Sequence, residues 1–176
     1  MYSPEEFEIM LHDVKYCRQL GFEGVVIGLL NADGSIDTNR TAKLVDAAYP
    51  MEVTFHRAFD RCANPFQALE ELIKVGCQRI LTSGQKPAAP EGIELIAQLN
   101  LAADNRIIIM PGSGVRKENI RMLAEKTGCT EFHSSLRSQS NSEMAFVHPS
   151  FADDRDSYLN NAVEAAEVEN LKMALE

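Results

Sequence analysis

EVTFHR, residues 52–57, alternates polar and apolar side chains, with Val53 and Phe55 on one side and Glu52, Thr54 and His56 on the other. That period of two is the signature of a strand. A helix signal follows at once: Asn64 as cap, Pro65 at the first helical position, a stripe of Phe66, Leu69, Leu72 and Ile73, then Gly76 as stop. The same unit recurs on both sides. Gly24 to Leu30, Arg79 to Ser83 (RILTS), Arg106 to Met110 (RIIIM) and Glu131 to Ser134 (EFHS) read as strands. Helices are expected over Thr38–Ala48, Pro90–Leu101 and Arg116–Lys126, with Gly128 ending the last of these.

Strand starts near Gly24, Glu52, Arg79, Arg106 and Glu131 lie 28, 27, 27 and 25 residues apart. Strands alternating with helices at this period predict right-handed βαβ units and a parallel sheet. An opening helix is announced by Ser3, Pro4 and Glu6, a capping box, with a stripe of Phe7, Met10, Leu11, Val14, Cys17 and Leu20 ended by Gly21. From Ser138 to about Asp156 the chain reads as a loop, and from about Asn161 to the end as a last helix.

No GxGxxG follows a strand, so a dinucleotide-binding sheet gains no support. Two architectures remain. Five strands by count suit an open, flavodoxin-type sheet, whereas a closed barrel needs eight strands and about 250 residues. The polar residues decide for the barrel. Glu52, Thr54 and His56 share one face, as do Glu131, His133 and Ser135, while Phe132 faces out. A sheet covered on both faces has little use for such groups, but a barrel mouth does. Residues 1–176 are therefore expected to form a single, partial (β/α) barrel of the TIM type with about five of eight strands.

Composition narrows the partners. The chain has 176 residues, 45% hydrophobic and 24% charged, with a net charge of −9. The acidic balance argues against nucleic acid and against an anionic membrane surface. There is no apolar run of spanning length and no basic leader, so a cytosolic protein is expected. Cys17, Cys62, Cys77 and Cys129 form no CxxC pair and are expected to be reduced thiols.

The segments after the strands are Arg57-Ala-Phe-Asp60, Thr82-Ser-Gly-Gln-Lys86, Pro111-Gly-Ser-Gly-Val115 and Ser134-Ser-Leu-Arg137. Gly112 and Gly114, with a helix start near Arg116, would suit an anion, or only a tight turn. His56 and His133 are structural groups bonded to Glu52, Glu131 or Asp60, or else catalytic or metal-binding groups. Cys17, Cys77 and Cys129 read as core, while Cys62 lies nearest the mouth. Imidazole and thiolate together suit Cu(I) or Zn(II).

VTFHRAFD (Val53 to Asp60), RILTSG (Arg79 to Gly84), IMPGSGV (Ile109 to Val115), EFHSS (Glu131 to Ser135) and the opening YSPEEFEIML with LGFEGVVIGLL resemble the CutC copper-homeostasis family. The resemblance implies a TIM barrel, dimers or larger assemblies, and the binding or handling of copper in the cytosol. It implies pocket positions at His56, Arg57, Asp60, Ser83, Gly112, Gly114, His133 and Ser135. The candidate metal ligands by residue type are His56, His133 and Cys62. The resemblance also implies about three further β/α units before Met1, with the cysteines usually linked to copper on the first two of them. The alternative function is a barrel enzyme acting on a small phosphorylated or carboxylated metabolite, with inward His and Glu pairs for acid–base work.

Overall fold

The structure is a computed structural model and describes residues 1–151 and 158–175. Helix α1 (Pro4–Gln19) is opened by the reciprocal box: the Glu6 amide donates to Ser3 Oγ at 3.2 Å and the Ser3 amide to Glu6 Oε2 at 2.7 Å. Then follow β1 (Gly24–Ile27), α2 (Thr38–Ala48), β2 (Glu52–Phe55), α3 (Pro65–Val75), β3 (Arg79–Thr82), α4 (Ile93–Ala103), β4 (Ile108–Pro111) and α5 (Ile120–Thr127). Short 3-10 turns at Arg57–Arg61 and Ala89–Glu91 follow β2 and β3.

The four strands form one parallel sheet in the order β1-β2-β3-β4. Side-chain alternation decides what kind of sheet it is. Val53, Phe55, Ile80 and Ile109 are at most 1% exposed and lie in one core with Leu44, Leu69, Leu72, Ile96, Leu99 and Leu123. Each such side chain contributes about 1.5–3 kcal/mol by leaving water. On the opposite face Val26 is 63% exposed, and Thr54, Leu81 and Met110 are only half-buried. A doubly wound sheet is covered on both faces. This one is covered on one face, as the wall of a β/α barrel is.

Three expectations change. The fifth strand shrinks to a single parallel bridge, Gly112 to His133, held by the His133 amide on the Pro111 carbonyl at 2.9 Å. Ser134 Oγ donates to the Val115 carbonyl at 2.7 Å and receives the Leu136 amide at 3.3 Å, and Leu136 sits at φ +43°. The chain is thus turned away before a ladder can form, and among the described residues the sheet does not close. The loop expected from Ser138 begins instead within β5 (Arg137–Asn141), which pairs antiparallel with β6 (Leu159–Val163). Residues 152–156 of that expected loop lie outside the described residues. Asn161 belongs to β6, and the last helix, α6, runs from Ala165 to Met173.

At the N-terminal ends of the strands, Arg79 spans two carboxylates of the half-open face. Its Nε donates to Glu131 Oε2 at 2.6 Å, its Nη2 to Glu131 Oε1 at 3.2 Å, and its Nη1 to Glu52. Polar groups at this end are consumed by one another, which leaves the other end of the strands for a ligand.

Candidate functional site at the C-terminal ends of the strands

Asp60 organises this end. Strand β2 runs into the 3-10 turn Arg57–Arg61, which swings the Asp60 carboxylate beneath the loop after β3. Asp60 Oδ1 accepts from Thr82 Oγ1 (2.5 Å), the Ser83 amide (3.0 Å) and the Gln85 amide (3.2 Å). Asp60 Oδ2 accepts from Arg57 Nε at 2.8 Å and lies 2.9 Å from Ser83 Oγ. Arg57 also donates through Nη2 to Ser83 Oγ at 2.7 Å and to the Lys86 carbonyl at 3.3 Å. The carboxylate is 8% exposed. The backbone amides of Ser83 and Gln85, which in a Gly-containing loop could cradle an external anion, already hold an internal one. Gln85 adopts φ +57° to reach it.

His56 stands at the head of the same turn. Its amide donates to the Ile27 carbonyl at 2.7 Å, and its Nδ1 accepts from the Ala58 amide at 3.0 Å. Burial pushes its pKa below the ordinary histidine value. Beneath the ring lies Gly28, where a Cβ would fall 2.3 Å from both ring carbon Cε1 and Nδ1. Only glycine leaves room for this imidazole, and no unusual φ is involved.

The expected partnership of histidines with carboxylates is not formed. Glu52 and Glu131 lie at the opposite ends of their strands, bound by Arg79, so neither serves as an acid–base partner. Of the two readings of the loop after β4, anion cradle or tight turn, the structure shows the turn. Helix α5 begins at Ile120, and the Arg116 amide is spent on Asn119 Oδ1 at 2.9 Å. The loop Gly112-Ser113-Gly114 is a clasp: the Ser113 carbonyl receives the Ala89 amide and Ser113 Oγ donates to the Pro87 carbonyl, both at 2.9 Å. A Cβ at Gly112 would fall 2.4 Å from Leu81 Cδ1, so any other residue there needs that side chain to shift. Gly114 and Ser113 adopt φ +71° and +76°.

The structure thus joins Arg57, Asp60 and Ser83 in one network and pairs Gly112 with His133. His133 and Ser135 are exposed. Phe132 packs on the core, so His133 faces the same side as His56, but β3 and β4 separate them by about 14 Å of sheet. Cys62 is buried, and burial together with the Asp60 charge pushes its thiol up to about 11. Among the described residues no three of His, Cys, Asp and Glu gather to hold a metal ion. His56, His133 and Cys62 therefore do not fit a common copper site.

Three residues had not been singled out. Gly28 was legible, since it precedes His56 by 28 residues, the spacing of the β1 and β2 starts. Arg61 and Arg116 carried no signal beyond their position after a strand. Among the described residues Arg116 Nη1 contacts neutral oxygens alone, the Val115 carbonyl at 3.0 Å and Ser134 Oγ at 3.3 Å.

A parallel sheet with helices on one face and a polar rim at its C-terminal ends defines a protein of the β/α-barrel type. The chain belongs to the CutC family, whose sequence model matches residues 1–138. A CutC family protein of Chromobacterium violaceum is 48% identical over 100% of the chain, which spans 72% of that relative. One from Parabacteroides distasonis is 51% identical over 83% of the chain, which spans 60% of it. The crystal structure of CutC from Streptococcus agalactiae, a protein whose given name assigns it to copper homeostasis, superposes with a TM-score of 0.72 at 31% identity, covering 76% of this chain and 65% of that one.

Asp60→Asn tests the network. The amide offers one acceptor oxygen and turns an NH2 group toward donors. The expected cost is about 2–4 kcal/mol, read from the urea midpoint, with faster amide exchange at Ser83 and Gln85. An unchanged midpoint would show that the carboxylate is not the clasp.

Proposed function

We propose that this CutC-family chain, taken as one partial barrel over residues 1–176, binds a small organic or phosphorylated anion at the C-terminal rim. The observation that carries the reading is charge without a partner. Arg61, Lys86 and Arg116 make no ion pair among the described residues, while the carboxylates of the half-open face are held by Arg79 at the other end. Surface cations such as Lys43 and Lys74 also make no ion pair among the described residues; what sets these three apart is that each follows the C-terminal end of a strand. Arg57, Asp60, Ser83, Gly112 and Gly114 hold the rim in shape, and His56, His133 and Ser135 face the ligand. An enzyme of small phosphorylated or carboxylated metabolites is the activity class this supports. Inorganic phosphate, titrated calorimetrically at low salt, is expected to bind and to be displaced by chloride. The double substitution Arg61→Gln, Arg116→Gln should abolish the heat. No binding to the unaltered chain at millimolar phosphate would end this reading.

Copper handling is the second reading, brought by the name of the Streptococcus agalactiae protein and favoured by one observation. His133 is exposed, with no side-chain hydrogen bond among the described residues, so its imidazole is free to meet Cu(I). Competition against a Cu(I)-selective chromophoric chelator is expected to show weak binding lost in His133→Ala. Tight binding that survives this substitution would place copper elsewhere.

Four unpaired cysteines suit the reducing cytosol, and no described helix is long and apolar enough to cross a membrane. Strand β1 ends the sheet with a free edge beside exposed Phe22 and Val26, and a second copy of the chain is the proposed cover. Val26→Lys should shift sedimentation velocity profiles from dimer toward monomer. A monomer before substitution would refute the association.

A further inference from the structure

Two facts about one ring fix its chemistry. The Ala58 amide is a backbone donor, so the Nδ1 of His56 that receives it at 3.0 Å holds a lone pair and no proton. The neutral ring then carries its single hydrogen on Nε2. Protonating Nδ1 would set two donors face to face and forfeit the Ala58 bond. Gly28 packs against the ring from below and keeps it in that plane.

The ring borders a cavity of about 490 Å³, lined also by Gly28, Leu30, Asn31, Ala58 and Arg61. That volume suits a small metabolite. No carboxylate lines the cavity. Asn31 is engaged elsewhere, its Nδ2 donating to Ser35 Oγ at 3.0 Å and to the Ile36 carbonyl at 3.2 Å. Arg61 brings a guanidinium with no ion pair among the described residues and His56 one N–H, while Met1 and Tyr2 border the same space. A second, more apolar space on the other side of the ring brings Asp13 of α1 as its one charged lining group.

On the footing of the anion-binding reading, we propose that this cavity takes a small monocarboxylate bearing a second, carbonyl oxygen, the 2-oxo acids being the simplest class. Arg61 receives the carboxylate. His56 donates Nε2–H to the carbonyl oxygen as an uncharged group, polarising it without transferring a proton. The same bond from Ala58 removes His56 from the metal ligands. Ligation at Nδ1 is blocked by the amide, and ligation at Nε2 would drive the proton onto Nδ1 against that donor.

The test begins with the unaltered chain labelled with ¹⁵N-histidine. The expected spectrum assigns His56 to the Nε2–H form, titrating below the ordinary histidine range, and adding pyruvate shifts its Nε2 resonance. Pyruvate affinity should fall about tenfold in His56→Phe and in Arg61→Gln, the factor one such bond commands, and stay unchanged in Lys43→Gln, an exposed position on α2. A proton on Nδ1, or a Cu(I)-induced change at either His56 nitrogen, overturns the proposal. So does phosphate binding at the rim with no response to pyruvate, an outcome that leaves the anion-binding reading standing. Failure of both phosphate and pyruvate to bind removes that reading first.

Discussion

The Asp60 carboxylate is the constraint from which the rest of this rim follows. A charged group only 8% exposed is tolerated because five donors converge on it: Arg57 Nε, Thr82 Oγ1, the amides of Ser83 and Gln85, and Ser83 Oγ. A buried carboxylate without such partners would be protonated or would unfold its surroundings. Because the donors belong to the loop after β3 and the acceptor to the turn after β2, the bond set ties two barrel units together. It also fixes the turn that presents the Ala58 amide to His56. The geometry of the imidazole is thus set one step away, by a side chain four residues downstream.

One-sided burial does the remaining work. The helices cover Val53, Phe55, Ile80 and Ile109, and the opposite face keeps its polar groups in two separate layers. The lower layer, Glu52, Arg79 and Glu131, satisfies itself. The upper layer ends in unpaired guanidinium groups and imidazoles. Separation along the strands, a few residues of about 3.3 Å each, is enough to turn one polar face into a sealed end and an open one.

The fold was legible because its evidence is periodic. Spacing near 27 residues and the alternation of Val53 and Phe55 with Thr54 and His56 hold in the folded sheet, as does the relation of Gly28 to His56. What failed depended on single, non-periodic events. EFHS has the pattern of a strand, yet Ser134 bonds the Val115 carbonyl and Leu136 takes a positive φ, so only one bridge forms. Glu52 and Glu131 were correctly assigned to the inner face, but alternation says nothing about which end a residue occupies relative to a partner on a third strand, and Arg79 was that partner. The anion held by the loop Thr82-Ser-Gly-Gln85 is the chain's own Asp60, a pairing across two β/α units that no local pattern announces.

Copper and a carbonyl oxygen make opposite demands on His56. A metal needs a lone pair facing the cavity, whereas an oxygen needs a proton there. One backbone hydrogen bond, from Ala58 to Nδ1, assigns the lone pair to the turn and leaves the neutral ring's proton on Nε2. Cys62 points the same way, since burial and the neighbouring Asp60 charge push its thiol up to about 11 and withhold the thiolate that soft metals prefer. Both groups lie beside Asp60, whose charge the fold needs for its own loops. The carboxylate that shapes the rim therefore also holds the neighbouring thiol in its protonated form, and its own charge is spent on Arg57 and the loop amides rather than offered to a cation.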